Sequence, residues 1–178
     1  LGDQCPEKSF VVLEGLENFG GTWRMHHYPG IRSDSDLYTF GYRFKPWTGH
    51  PIASGDEILK YMGEVIDEND LARHIRYHHR IQNASWSSDT NLWTLEVANT
   101  QTGDTVRFTT NFLWMCQGYY RHAECYTPEW PVMDQYRGQI VHPQMWPEDL
   151  EYAGKNVILI GAGASTRPML PAIPPRAA

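Results

Sequence analysis

With 178 residues, 41% of them hydrophobic and 20% charged, the chain is long enough to bury one core and part of a second. Its formal net charge of -6 excludes a general attraction to phosphate backbones or anionic membranes, because no basic face supplies it. No run approaches the roughly 18–20 apolar residues of a membrane span, so neither a nucleic-acid partner nor a stable membrane anchor is expected.

The first ten residues, LGDQCPEKSF, show neither the basic nor the apolar region of a signal peptide, which predicts a cytoplasmic location. Cys5, Cys116 and Cys125 are an odd number at spacings that fit no common zinc pattern, so free or buried thiols are expected. The opening reads as the last turn of a helix, a short polar connection and a buried strand over Phe10–Glu14. A helix end and one strand are half of a crossover unit, so the chain is expected to be a fragment.

After that strand, GLENFGGTWRMHHYPGIRSDSD carries neither hydrophobic period and is rich in turn residues, which marks a long functional loop. Its scattered aromatics argue against disorder. SGDEILKYMGEVIDENDL predicts an amphipathic helix, with Ile58, Leu59, Met62, Val65 and Ile66 on one stripe and Ser54 with Glu57 as a capping box. Strands are predicted over Ile81–Trp86, Leu92–Ala98 and Thr105–Thr109, joined by SSDTN and NTQTGD, the pattern of an antiparallel meander. NFLWMCQG and KNVILIGAGAS are continuous apolar runs ending in glycine, as buried parallel strands are.

The second of these runs meets Gly161-x-Gly163. Glycines there let the turn tighten and the backbone approach a pyrophosphate, which a helix N-terminus then attracts. Thr166 stands at the third glycine position, and Pro168 with Pro171 put the following helix in doubt, because a proline removes a donor and crowds an earlier carbonyl. A plain strand-to-turn junction is the alternative. Glu14 ends its strand where an acid can accept hydrogen bonds from ribose hydroxyls; a solvated strand end would look the same. His74, His78 and His79 lack a carboxylate at ligand spacing, so no metal is expected.

GGTW followed by YPGIRSDSD, and YRGQIVHPQMWP further on, resemble the flavin-dependent Baeyer-Villiger monooxygenases of the flavin-containing monooxygenase superfamily, in the group of the ethionamide-activating enzyme. The signature Phe-x-Gly-x-x-x-His-x-x-x-Trp-Pro stands here as Tyr136, Gly138, His142, Trp146 and Pro147, with Tyr replacing the opening Phe. The resemblance runs from Phe10 to about Ser165. It implies an α/β fold: an incomplete FAD/NAD(P)-binding Rossmann-like fold with a parallel sheet, an antiparallel meander and the start of a second nucleotide-binding domain. The implied division is a partial FAD-binding domain over 1–135, a linker over 136–154 and the start of an NADPH-binding domain over 155–178.

By the same resemblance, the implied cofactors are FAD and NADPH, and the implied reaction adds one atom of O2 to a ketone or sulfide through a C4a-peroxyflavin. Glu14 would hold the FAD ribose; Gly21, Thr22, Trp23, Arg24 and Met25 would run beside the flavin; Ile81 would face the adenine side. Arg32, Ser33 and Asp34 would lie where nicotinamide and flavin meet, Arg32 and Asp34 as catalytic residues. Gly161, Ala162, Gly163, Ala164 and Ser165 would begin the NADPH pyrophosphate loop. The family's first glycine fingerprint should precede residue 1, so this chain alone is expected to be inactive. The alternatives are an N-oxygenating monooxygenase, which lacks the Trp-Pro ending, or a non-catalytic remnant.

Overall fold

The computed structural model describes residues 1–173; the end of the expected NADPH-binding segment, 174–178, lies outside the described residues. Contacts divide the chain into two units. One combines Leu1–Phe19 with Gly63–Tyr119, and the other combines Gly20–Met62 with the described part of Tyr120–Ala178.

In the first unit, strand β1 (Val12–Leu13) pairs in parallel with β2 (Ile75–Arg76), Val12 opposite Ile75. The strand expected over Phe10–Glu14 is thus shorter and less covered, with Val11 and Val12 exposed. The Glu14 backbone extends the pairing, its N–H donating to Arg76 at 3.0 Å and its carbonyl accepting from His79 at 2.8 Å.

The meander forms as expected, from β3 (His79–Ser87), β4 (Leu92–Asn99) and β5 (Thr105–Thr110), in the order β3-β4-β5 with antiparallel pairing. Its hairpins follow from local chemistry. Asn91 at φ 54 and Gly103 at φ 82 take the left-handed conformation that such turns require and that Asn and Gly tolerate best. Asn99 Oδ1 accepts from the N–H groups of Gln101 and Thr102 at 2.9 and 3.1 Å. Leu95 and Val97 bury one face of β4, and Trp93 meets Trp86 across the pair with ring centroids 5.6 Å apart.

One helix belongs to both halves of the chain. Strand β1 is followed by α1 (Thr22–Met25) and α2 (Leu37–Phe40), then by α3 (Gly55–Glu68). The capping box of α3 is complete: Ser54 N–H donates to Glu57 Oε2 at 2.8 Å, and Glu57 N–H returns to Ser54 Oγ at 3.3 Å. Ile58, Tyr61 and Val65 form its buried stripe, at the i, i+3, i+7 spacing of one helix face. Asp70 at φ 50 and a bond from Leu71 N–H to the Ile66 carbonyl at 2.9 Å close its C-terminal end.

Among its described residues the second unit has two apolar clusters. Leu37, Ala53 and Ile58 pack with Trp23, Trp47 and Met62. Tyr28, Met169 and Ile173 pack with Ile31, Trp146, Tyr152 and Leu159.

Two expected strands do not form. Phe112 and Trp114 are 76% and 71% exposed, Ile158 and Ile160 75% and 71%, and residues 112–118 and 157–160 carry no ladder. A run apolar on both faces becomes a strand only when neighbours take up its backbone bonds and layers cover both sides; no such neighbour lies among the described residues. The doubted helix does form. Helix α4 (Thr166–Ala172) contains Pro171 and buries Pro168 and Met169. Pro168 sits in the first turn, where no intrahelical donor is needed, and Pro171 forfeits one bond in the last turn while Ile173 N–H still reaches the Met169 carbonyl at 2.9 Å.

Candidate functional site

The residues singled out in the sequence fall on both units. Glu14 and Ile81 belong to the first. Glu14 Oε1 accepts from Leu16 N–H at 2.9 Å, which fixes the carboxylate at the strand end. Ile81 pairs with Val97, and the register slips between Ile81 and Asn83. Such a bulge leaves an extra residue without a ladder partner, so backbone polar groups become available beside Ile81.

The rest gather in the second unit. Gly20 at φ 119 and Gly21 at φ 48 turn the chain into α1, whose bonds run from Trp23 N–H to the Gly20 carbonyl at 3.0 Å and from Met25 N–H to Gly21 at 2.9 Å. A Cβ on Gly20 would collide with Leu59 Cδ2, whereas one on Gly21 would meet nothing within 4 Å. The first glycine therefore permits close packing on α3, and the second borders open space. Trp23 is half-buried against the Leu37 cluster, with Thr22, Arg24 and Met25 beside it on the same turn.

Arg32, Ser33 and Asp34 are held as an extended segment. Arg32 bridges Ser54 in antiparallel fashion, Ser33 N–H donates to Ala53 at 2.8 Å, and Gly55 N–H donates to Ile31 at 3.0 Å. Ser33 Oγ donates to the Ser35 carbonyl at 2.7 Å and accepts from Ser35 N–H at 3.1 Å. Together with His50, Ile52 and Arg167 these three residues line an open hollow of about 300 Å³. Arg167, from α4, and His50 carry no family motif, and only the fold brings them beside Asp34.

The glycine turn leads into α4. Gly161 adopts φ 133, and a Cβ there would stand 3.2 Å from Thr166 Oγ1, while one on Gly163 would meet nothing within 4 Å. Thr166 and Arg167 N–H groups reach back to the Gly163 carbonyl at 3.1 and 3.5 Å. Ala162 and Ala164 are exposed and Ser165 half-buried, so the surface of the turn stays open for a phosphate-bearing ligand to approach.

The signature residues have structural tasks. The Tyr136 ring lies over Gly138, where any Cβ would strike it. His142 caps a short 3₁₀ turn, Pro143–Met145, with Nδ1 accepting from Gln144 N–H at 3.2 Å. That bond assigns the proton of a neutral His142 to Nε2. Trp146 packs into the Tyr28 cluster and edge-on to Tyr152 at 6.0 Å, with Pro147 next to it opening a turn to Leu150.

Two residues carry more weight than the sequence suggested. His26 is 5% exposed, set between Tyr120 at 5.2 Å, Tyr28 at 5.8 Å and His122 at 6.3 Å between ring centroids. Its Nε2 and the Nδ1 of His122 are buried without hydrogen-bond partners among the described residues. Burial, followed by the neighbouring His122, His27 and His142, holds the His26 imidazole below the usual histidine range. Tyr28 is 6% exposed; burial pushes its phenol up, a hydrogen bond with Ser165 opposes this, and Asp34 adds to the rise. The HHYPG stretch was the available signal, but an aromatic beside a turn reads as filler until its partners are known.

Comparison with known proteins places these features in context. A family model described as flavin-binding monooxygenase-like matches residues 50–174. The FAD-containing monooxygenase EthA of Mycolicibacterium smegmatis is 48% identical over 174 residues, which are 97% of this chain and 35% of that protein. A steroid monooxygenase bound to NADP superposes with a TM-score of 0.73 at 32% identity, covering 94% of this chain and 32% of that one. The enzyme OTEMO in complex with FAD and NADP superposes at 0.75 with 26% identity, covering 99% and 34%. The chain thus spans about a third of the length of the relatives it matches.

Proposed function

The chain belongs to the flavin-binding monooxygenase-like family, and from that premise we propose that it forms part of an FAD- and NADPH-dependent monooxygenase of the Baeyer-Villiger type. The reaction adds one atom of O2 to a ketone, giving an ester or lactone, or to a sulfide. The cofactors supply the redox chemistry, NADPH the electrons and FAD the activation of oxygen; the protein binds and orients them.

In this reading residues 1–135 contribute to an FAD-binding domain, 136–154 form the linker and the chain from 155 opens an NADPH-binding domain. Glu14 holds the FAD ribose, Ile81 offers its backbone to the adenine side, and Gly21 with Thr22–Met25 borders the flavin. The open space beside Gly21 and Gly163 fits groups that need close backbone approach. Arg32, Ser33 and Asp34, which line one hollow, would lie where nicotinamide and flavin meet, with Arg32 and Asp34 as the catalytic pair. Gly161–Ser165 cradles the NADPH pyrophosphate.

The observation that carries the reading is the meeting, in one unit, of the flavin-side loop, the signature and the glycine turn. A Cβ on Gly30 would stand 2.5 Å from the Pro168 carbonyl, and Trp146 packs in the Tyr28 cluster, so three motifs far apart in sequence share one core. The Trp146-Pro147 ending favours the Baeyer-Villiger branch over the N-oxygenating one.

The test uses the full-length protein that contains this sequence. Purified with FAD, it should oxidise NADPH faster in the presence of a cyclic ketone and release the lactone, and Asp34→Ala should lower that rate by about 10²-fold or more, the scale of one lost electrostatic or positioning group. Turnover of amines with no product from ketones or sulfides would refute the Baeyer-Villiger assignment. A protein that binds no flavin would refute the enzyme reading altogether.

A further inference from the structure

We propose that Arg167, together with Arg32, makes the hollow beside Asp34 a receiving site for an oxyanion, either the carboxylate of a keto acid substrate or a phosphate of the dinucleotide. The site itself is read from side chains of this chain; the choice between the two sources rests on the functional reading above.

Both arginines line the hollow, with Ser33, Asp34, His50 and Ile52, and both stand on backbone that packing holds in place. Arg32 bridges Ser54, and the residue after it, Ser33, donates its N–H to the Ala53 carbonyl at 2.8 Å. Arg167 precedes Pro168 and Met169, the buried residues of α4, and Met169 packs against Tyr28. Gly30 passes α4 so closely that a Cβ would stand 2.5 Å from the Pro168 carbonyl and 2.9 Å from Ala172 Cβ. The loop and the helix that carry the two guanidiniums therefore touch, and the fold fixes the hollow between them.

Both guanidiniums are uncommitted. Arg73, Arg107 and Arg121 each hold a carboxylate, at 3.3, 3.5 and 3.1 Å, and Arg76 donates to the Arg73 and Ile75 carbonyls at 2.8 and 3.1 Å. Among the described residues neither Arg32 nor Arg167 spends its side chain in this way, although Asp34 borders the same hollow. The Ser33 hydroxyl already donates to the Ser35 carbonyl at 2.7 Å, so the strong donors left in the lining are the two arginines. Two guanidiniums against one carboxylate leave positive charge unbalanced here, on a chain whose formal net charge is -6, and such a local field draws anions to this spot. A guanidinium presents paired N–H donors in a fork that carboxylate and phosphate oxygens match. An oxyanion thus supplies the acceptors that the protein does not, and Ile52 offers an apolar wall to the carbon skeleton that carries it.

The experiment uses the full-length protein that contains this sequence and has two arms. In the first, the arginine reagent phenylglyoxal is applied with rising inorganic phosphate, and the adducts are mapped by mass spectrometry. Saturating phosphate should lower the labelling of Arg32 and Arg167 together by about ten-fold, the scale of one charge-assisted hydrogen bond, while Arg107, paired with Glu96, keeps its level. Labelling of Arg167 that phosphate does not change overturns the inference. In the second arm, the FAD-loaded protein carries Arg167→Gln and is compared with wild type on a cyclopentanone bearing a carboxylate and on its methyl ester. Where the substrate supplies the anion, wild type favours the acid over the ester in kcat/KM by about ten-fold, and Arg167→Gln abolishes that preference. Where the cofactor supplies it, Arg167→Gln raises KM for NADPH about ten-fold and the acid-to-ester ratio stays put. Arg167→Lys should recover part of whichever effect is seen, because it restores the charge without the fork. Protection by phosphate with neither kinetic reading altered marks an adventitious ion only and overturns the role of Arg167. If the wild-type protein does not oxidise NADPH, the functional reading fails, and the labelling arm still decides whether the two arginines share an anion.

Discussion

Gly30→Ala is the sharpest single probe of how the second unit is built. Two costs act together. At φ 75 an L-residue adopts the left-handed region, which costs about 1–2 kcal/mol for a side chain with a Cβ. The new methyl would also stand 2.5 Å from the Pro168 carbonyl, 2.9 Å from Ala172 Cβ and 3.1 Å from the Pro168 carbonyl carbon. These are backbone and short side-chain atoms that cannot swing aside, so α4 must move, at about 1–3 kcal/mol for an overpacked contact. Gly154→Ala separates the costs, because Gly154 lies in the same unit at φ 69 with nothing within 4 Å of its Cβ position. Urea unfolding of both variants should show Gly30→Ala less stable than Gly154→Ala by about 1–3 kcal/mol, a gap of several degrees in Tm for a chain of this size. Equal losses would refute the close approach of the Pro29-Gly30 turn to α4, and with it the claim that the glycine turn and the Arg32–Asp34 segment share one core.

Three further outcomes follow from single observations. His26 resists protonation in the folded state, so the unfolded chain binds more protons below the usual histidine value of about 6.5 and stability should fall as pH drops through that range; His26→Phe should flatten the dependence of the urea midpoint between pH 7.5 and 5, and an unchanged slope would contradict the buried imidazole. Val97→Ala removes two methyl groups from a fully buried position on β4, which predicts a loss of about 2–3 kcal/mol from transfer plus cavity, read from the unfolding of the meander by circular dichroism. Ser54→Ala removes the hydroxyl that accepts from Glu57 N–H at 3.3 Å and donates to Glu57 Oε2 at 2.8 Å, while the Ser54 backbone N–H can still donate to Glu57 Oε2, and should cost about 1 kcal/mol in thermal melts; an NMR titration should show the Glu57 carboxyl, held low first by the Ser54 backbone N–H and then by its hydroxyl, moving only part of the way back toward the usual carboxylate range.

What could be read from the sequence divides according to how far away the partners lie. The meander and α3 were legible because their determinants are local: Asn91 and Gly103 shape the hairpins, and Ser54 and Glu57 satisfy each other three residues apart. The runs 112–118 and 157–160 were misread because a buried strand depends on neighbours that composition cannot supply. The doubt over α4 erred in the other direction. Proline propensity describes an average helix interior, whereas Pro168 stands in a first turn and Pro171 in a last one, and burial of Met169 against Tyr28 offsets the one missing bond.

The same rule governs the candidate site. Glycine positions and the spacing of the signature residues were visible, because backbone conformation restricts residue type directly. Side-chain partnerships were not. Arg167 reaches the Asp34 hollow only because α4 forms despite its prolines, and Tyr28 packs with Met169 and Ile173 across a sequence separation that no local pattern encodes. The burial of Tyr28 is consequently among the features least visible in sequence, because the residues that cover it, Met169 and Ile173, stand at the far end of the chain and come to it only through tertiary structure.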